Sequence, residues 1–338
     1  MRTLVCTEPG HFEYRSKEDP IWAPGHTLLQ ILRMGVCGTD LHAFEGVQPY
    51  FEYPRILGHE IAARILRTEA VGFQQGEEVV FLPYFFCGRC IACRQGRTNC
   101  CATLKVCGVH IDGACSDYFL VPDEYLVHGR GLGADELALV EPFSIGAHAV
   151  KRAKLKEGQK VMVIGAGPIG LATMEMARMA GAEAAVCDVN NGRLDFCRKI
   201  LDGNRVMNAG SSDLADRLKE WTGGDMPEVV FDASGNLNAI EAGFQYISYA
   251  GTYVLVGLQR GFIRFSHPEF HKRETTLMSS RNANRQDFEQ VVDCMVKGFL
   301  VPGKYITHRL TFEHAGRDFG GLLDPKAGAI KALISFEI

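Results

Sequence analysis

The amino-acid sequence predicts an α/β chain in which a doubly wound parallel sheet is set between β-rich segments. Three observations predict it. The middle of the chain alternates short apolar strands with helices, the mark of βαβ units and a parallel sheet. A glycine-rich turn, Gly165-Ala-Gly167-Pro168-Ile169-Gly170, joins the first of those strands to its helix. The flanking segments read instead as short strands punctuated by turns. At 338 residues the chain exceeds one small domain and implies two with sizeable cores.

Taken in order, Thr27-Leu-Leu-Gln-Ile-Leu-Arg-Met, Ile61-Ala-Ala-Arg-Ile-Leu and Glu78-Val-Val-Phe-Leu-Pro are strand candidates. Residues 87–101 form a loop dense in Cys, Gly and Arg, and 135–154 follow a helical pattern interrupted near Glu141-Pro142. Lys160–Ile164 and Ala184–Asp188 then read as buried strands, each followed by a helix, at Ile169–Ala180 and Arg193–Leu201. Val229–Ala233 and Thr252–Gly257 continue the sheet, with helical stretches near 212–222 and 236–248. A helix near 285–298, a strand at Ile306–Leu310 and a terminal strand around Ala332–Phe336 close the chain. Boundaries fall near 150 and 280.

Composition narrows the function classes. An apolar fraction of 46% and a charged fraction of 22% are those of an ordinary soluble globular protein. A formal charge of −4 argues against an electrostatic grip on nucleic acid or an anionic membrane. Val161–Met174, the most apolar stretch, is too short for a bilayer and is broken by glycines and a proline. Met1–Gly10 has no long apolar core, so no signal peptide is expected and a cytoplasmic location is.

The glycine-rich turn carries chemistry. Gly165 permits the tight turn, Gly167 lets backbone approach a pyrophosphate, and Gly170 allows close helix–strand packing; the helix N-terminus adds amides and partial positive charge. Asp188, ending the next strand, would accept hydrogen bonds from a ribose 2′-hydroxyl and repel a 2′-phosphate, which selects NAD. Arg193 close behind would tolerate a phosphate. Asp232 and Ser234 end a later strand, where they read equally as ligand contacts or as caps.

Twelve cysteines are present, five of them between Cys87 and Cys101. In a reducing compartment such a cluster reads as thiolate ligands. Cys87, Cys90, Cys93 and Cys101 have the spacing C-x2-C-x2-C-x7-C, which suits a closed tetrahedral zinc site that folds its own loop. Cys100 competes with Cys101 for the fourth place. A second, dispersed set lies in Cys37-Gly-Thr39-Asp40-Leu-His42, Gly58-His59-Glu60 and Glu141-Pro142. A thiolate, an imidazole and a carboxylate would hold zinc with one position open.

Together these marks resemble the zinc-dependent medium-chain alcohol and polyol dehydrogenases, over essentially the whole chain. The match rests on Cys37-Gly-Thr-Asp, Gly58-His-Glu, the four-cysteine lobe, Glu141-Pro and the 165–170 motif. Gly96-Arg-Thr-Asn-Cys-Cys, Gly108-Val-His-Ile-Asp-Gly, Glu141-Pro-Phe-Ser-Ile-Gly-Ala-His-Ala-Val, Phe265-Ser-His-Pro-Glu-Phe-His-Lys-Arg-Glu-Thr-Thr and Ser279-Ser-Arg-Asn-Ala resemble its sugar-acid branch, the L-galactonate 5-dehydrogenase-like aldonate oxidoreductases. The resemblance implies a GroES-like catalytic domain built from 1–150 and 281–338, with the zinc lobe at 87–101, and a Rossmann NAD-binding domain at 151–280. It implies homodimers or homotetramers, two zinc ions per chain, and a small-molecule substrate.

Carried over by position, Cys37 and His59 are implied zinc ligands. Glu60 is a ligand in the polyol branch and lies behind the metal in others, and Glu141 is either a third ligand or the holder of metal-bound water. Thr39 and His42 begin and end a proton relay through the cofactor ribose. Arg281 and Asn282, with His110, are candidate partners for a substrate carboxylate, and Tyr50, Phe51 and Tyr53 candidate pocket walls. Ala114-Cys115 departs from the Gly and bulkier residue usual in close relatives. The expected reaction is reversible oxidation of a secondary hydroxyl on an aldonate; a neutral polyol, L-threonine, or a non-catalytic NAD-binding role are the alternatives.

Overall fold

The computed structural model describes residues 1–201 and 205–336. They form two compact units, Met1–Pro142 with Ala283–Ile338, and Phe143–Asn282. The division falls at 142/143, inside the range of helix Val140–Ala153, and at 282/283.

The first unit is β-rich. Its largest sheet has the order Leu126–His128, Glu78–Phe81, Glu60–Arg67, His26–Val36, Lys331–Ser335, Ile306–Thr311, and Tyr118–Pro122 pairs with the first half of His26–Val36. The pairs are antiparallel except the last, where Ile306–Thr311 runs parallel to Lys331–Ser335. Strand His26–Val36 is central, pairing with three other strands, and its Leu29, Ile31 and Met34 are fully buried. A three-stranded sheet of His11–Ser16, Arg2–Glu8 and Arg55–Ile56 completes the unit's framework.

Two local expectations change. Within the flanking region expected as short strands punctuated by turns, Gly38–Phe44 is a helix that begins just after Cys37. Asp40 makes the helix possible by accepting the Cys37 N–H at 2.9 Å, satisfying a donor the helix cannot. The break in the 135–154 pattern lies at Ala138-Leu139, between helices Ala134–Leu137 and Val140–Ala153. Pro142 sits in the first turn of the second helix, where its missing N–H leaves no bond unmade.

The second unit is a six-stranded parallel sheet, ordered Val206–Asn208, Glu183–Asp188, Lys160–Ile164, Val229–Asp232, Thr252–Leu255, Thr276–Ser279. In chain order this is 3-2-1-4-5-6, the doubly wound arrangement whose ligand crevice opens between strands 1 and 4. Met162, Ile164, Val230 and Tyr253 from the sheet pack with Leu214, Leu218 and Ile247 into one core. The helix expected over 236–248 ends at Gly243, which packs too close to Tyr253 for a side chain.

Candidate functional site

Register builds the dispersed site. Gly35 pairs with Glu60 across two antiparallel strands, so Cys37, two residues beyond Gly35, arrives beside His59, one residue before Glu60. Gly58 holds the turn ahead of His59 at φ +105°, and a Cβ there would meet Met34 Sδ at 2.7 Å. The outcome is a cluster in which one donor atom each of Cys37, His59 and Glu60 lies within 4.8 Å of the others.

Two of the three candidate ligands are held from behind. Glu60 and Lys331 are both buried and paired, the ammonium bonding Glu60 Oε2. Breaking a buried pair by removing one partner costs about 3–5 kcal/mol. Asp40, fully buried, stands 3.6 Å from His59 Nδ1. Burial opposes protonation of His59, yet the negative groups Asp40, Cys37 and Glu141 hold it well above its usual range. Glu141, second residue of its helix, accepts a hydrogen bond from Tyr84, whose ring is itself buried. Burial first, with Glu60 adding, pushes the Glu141 carboxyl up to about 7 against the pull of His59.

The donors suit zinc. A thiolate, an imidazole and a carboxylate are the mixed set of open zinc sites. Glu60 Oε1 is buried with no hydrogen-bond partner among the described residues, which is costly for a carboxylate oxygen unless a cation meets it. Glu141 lies outside the set that shares the 4.8 Å limit, so the structure gathers Glu60, not Glu141, with Cys37 and His59. Thr39 and His42 stand one turn apart on helix Gly38–Phe44, half-buried and exposed respectively.

The second cluster is Cys87, Cys90, Cys93 and Cys101, again with all four sulfurs within 4.8 Å. Cys100 is outside it and takes a hydrogen bond from Arg97 at 3.8 Å instead. The backbone N–H groups of Arg89 and Cys90 pull the Cys87 thiol down to about 6, which favours the thiolate a metal needs. Helix Ile91–Arg94 in this lobe buries none of its residues.

Of the expected pocket residues, Tyr50 and His110 come together, rings stacked with centroids 6.1 Å apart. His110 Nδ1 accepts the Val106 N–H at 3.1 Å, so in the neutral imidazole Nε2 carries the hydrogen and is a donor. Phe51 packs edge-on to Tyr53, whose hydroxyl bonds the carbonyl of Ala43. Cys115 is buried behind Leu57, its N–H bonding that carbonyl at 3.0 Å.

In the second unit, Gly165 has φ +103° and no room for a Cβ beside Ser234 N at 2.9 Å. Gly170 would strike the carbonyl of Gly165. Gly167 caps helix Pro168–Met179, so that Pro168 and Ile169 form its first turn. Asp188 is fixed by two backbone amides, Ala166 N–H on Oδ2 and Asn190 N–H on Oδ1, each at 2.8 Å. Arg193 reaches to 3.6 Å of Asp188 Oδ2. Asp232 is a cap: it accepts Ser234 Oγ–H at 2.5 Å and the Gly235 N–H at 3.2 Å. Arg281 is exposed just beyond strand Thr276–Ser279, and Asn282 follows it at φ +52° with Nδ2 buried and unpartnered among the described residues.

Comparison with known proteins matches residues 23–130 to the alcohol dehydrogenase GroES-like domain and residues 168–297 to the zinc-binding dehydrogenase domain. The chain is 38% identical to an L-galactonate-5-dehydrogenase of Escherichia coli K12, with 99% of each chain covered. The chain belongs to the zinc-type alcohol dehydrogenase family. It is also 32% identical to a 2-dehydro-3-deoxy-L-galactonate 5-dehydrogenase of Pseudoalteromonas atlantica T6c, covering 92% of this chain and 91% of the other. A crystal structure described as a short chain alcohol dehydrogenase from Escherichia coli CFT073, complexed with NADH, superposes with a TM-score of 0.91 at 27% identity, covering 99% of both.

Within this zinc-type dehydrogenase chain, sequence reasoning missed Lys331 and Tyr84 and gave Asp40 no role. Lys331 opens an apolar strand; a lone charge heading a buried strand was the available signal. Tyr84 had none. Among the described residues, no helix is long and apolar enough to cross a membrane.

Proposed function

We propose that this chain is a zinc-dependent, NAD-linked dehydrogenase that reversibly oxidises a secondary hydroxyl of an aldonate, of the L-galactonate or L-gulonate type, to a ketone. The Cys37–His59–Glu60 cluster, with its unpartnered buried Glu60 oxygen, carries the reading. The names of the two relatives given above support the aldonate.

Cys37, His59 and Glu60 would hold the catalytic zinc, and Cys87, Cys90, Cys93 and Cys101 a second, structural one. When bound, zinc supplies Lewis-acid polarisation of the substrate hydroxyl and the nicotinamide accepts the hydride. The protein's own residues do the rest. Asp40 orients His59, and Tyr84 holds one oxygen of Glu141, whose carboxyl feels the nearby His59 and Glu60. Thr39 Oγ1 would accept the hydroxyl proton as it gives up its own along the relay that ends at His42, which passes a proton to solvent. The amides of the 165–170 turn receive the pyrophosphate, with Asp188 accepting from the adenosine ribose; its pairing with Arg193 keeps that arginine from a 2′-phosphate. Arg281 and Asn282, and in the other unit the His110 Nε2–H, are the donors offered for a substrate carboxylate, a task that favours charged and forked donors; Tyr50, stacked on His110, is offered as a pocket wall. In this reading the enzyme is a cytoplasmic homodimer or homotetramer.

The test is NAD reduction followed at the nicotinamide absorbance, with L-galactonate, L-gulonate, L-gluconate, L-idonate and D-mannonate set against galactitol, sorbitol and L-threonine. Turnover confined to one or two aldonates is expected. Preference for the neutral polyols would keep the metal chemistry and remove the carboxylate role given to Arg281.

A further inference from the structure

We propose that Lys331 is a positioning residue for Glu60, fixing the carboxylate so that it offers a single oxygen, Oε1, to the metal. The inference rests on the reading that Cys37, His59 and Glu60 hold zinc.

Three adjacent strands converge on this carboxylate. Glu60 lies opposite Gly35, and Gly35 lies opposite Leu333 on the far side. Gly35 has no side chain, and Glu60 fills the space: a Cβ there would collide with Oε2 and come within 2.9 Å of the Glu60 Cβ. Lys331, heading the neighbouring strand, sends its ammonium into the same space, where it bonds Glu60 Oε2 and the Val36 carbonyl at 3.2 Å. Lys331 is 2% exposed and Glu60 0%, so water does not compete for either.

The two oxygens of Glu60 are therefore unequal. Oε2 sits in a charge-assisted bond, whereas Oε1 is buried without a hydrogen-bond partner among the described residues, in a carboxylate that is grouped with Cys37 and His59. An ionised carboxylate can otherwise present both oxygens alike. Lys331 breaks that symmetry, and it also neutralises one of the negative charges crowded around the cluster. Glu141 shows the contrast: it has a phenol for a partner in place of an ammonium, and it stands outside the ligand set.

The test loads cobalt(II) into the full-length protein, wild type and variants, and reads the d–d absorption band and the rate of metal loss to a chelator. The four-cysteine lobe in the same sample serves as internal reference. Lys331→Met is expected to shift the band and to weaken retention of the Cys37-site metal by about 10- to 100-fold, the range for partners that orient a metal ligand, with loss from the lobe unchanged. Lys331→Arg, which keeps the cation, is expected to restore both readouts. Should Lys331→Met not fold, Gly35→Ala displaces Glu60 while leaving the lysine in place, and the same band shift is expected. A wild-type band and retention in Lys331→Met, or in Gly35→Ala standing in for it, overturns the inference while leaving the zinc reading intact. A wild-type protein that takes up no metal at Cys37 overturns both.

Discussion

In both candidate metal sites the donor atoms lie within 4.8 Å of one another, and the two share almost nothing else. The Cys37 cluster is dispersed over the chain and assembled by strand register. Two of its three members are buried, and it is backed by Lys331, Asp40 and, alongside, the Tyr84–Glu141 pair. The Cys87 lobe is local in sequence, its four-residue helix buries nothing, and its sulfurs are contacted by one another and by backbone amides. A site built on a packed sheet inherits its geometry from the fold. A site on a bare loop depends on its metal for geometry. In the proposed function the first is preorganised for chemistry, and the second holds its loop shut only with metal bound.

The strongest way to break the comparison is at the first-named cluster. Cys37→Ser and His59→Ala are expected to abolish turnover while the protein stays folded and still binds NAD, checked by fluorescence titration; full activity in either would end the catalytic assignment. In the lobe the expected effect is the reverse in kind. Cys90→Ser should release one zinc of the two and open the 87–101 segment to protease, with activity declining only as that segment unravels. Equal protease resistance in mutant and wild type would show that the lobe needs no metal.

A smaller effect is expected at the supporting shell. Tyr84→Phe removes the donor to a buried carboxylate and should cost about 1–3 kcal/mol in chemical denaturation, with kcat reduced and lobe zinc content unchanged. Smallest is a charged clamp in the same unit but apart from both clusters. Asp135 bonds Arg33 at 2.8 Å and Arg309 at 2.6 Å. Burial works to raise its carboxyl, but the Arg309 and Arg33 bonds hold it below the ordinary 3.8. Its contribution is present above that value and is lost as the pH falls further, through the folded-state value. Asp135→Asn should thus cost about 1 kcal/mol or less at neutral pH, a difference that fades in acid below pH 3.8.

What the sequence revealed follows the same division. The parallel sheet was legible because its strands and helices differ in period and because Gly165–Gly170 announces the first crossover. The lobe was legible because its four ligands lie within one short segment. In the Cys37 cluster the individual ligands could be named, but the choice between Glu60 and Glu141 could not be made. That choice turns on which carboxylate meets Lys331 and which meets Tyr84, contacts spanning 271 and 57 positions that no local pattern encodes. The helix at Gly38–Phe44 was missed because a seven-residue helix shows less than two turns of periodicity, and its decisive bond, Asp40 to the Cys37 amide, looks in sequence like any turn. The N-terminal hairpin Arg2–Glu8 with His11–Ser16 escaped for another reason: its second strand is mostly exposed, with only Phe12 partly buried.

The pairing of His26–Val36 with Lys331–Ser335 has a consequence for how this molecule is made. During synthesis the older strand leaves the ribosome with one edge bare, and the segment that covers it is about 300 codons away. At roughly 5–20 residues per second the gap lasts on the order of tens of seconds, and an exposed strand edge is a template for the wrong neighbour. Val36 lies at that bare edge and Cys37 follows it, so the nascent chain carries the thiol of its future metal centre beside an unfinished border. That border stays uncovered until translation reaches Lys331.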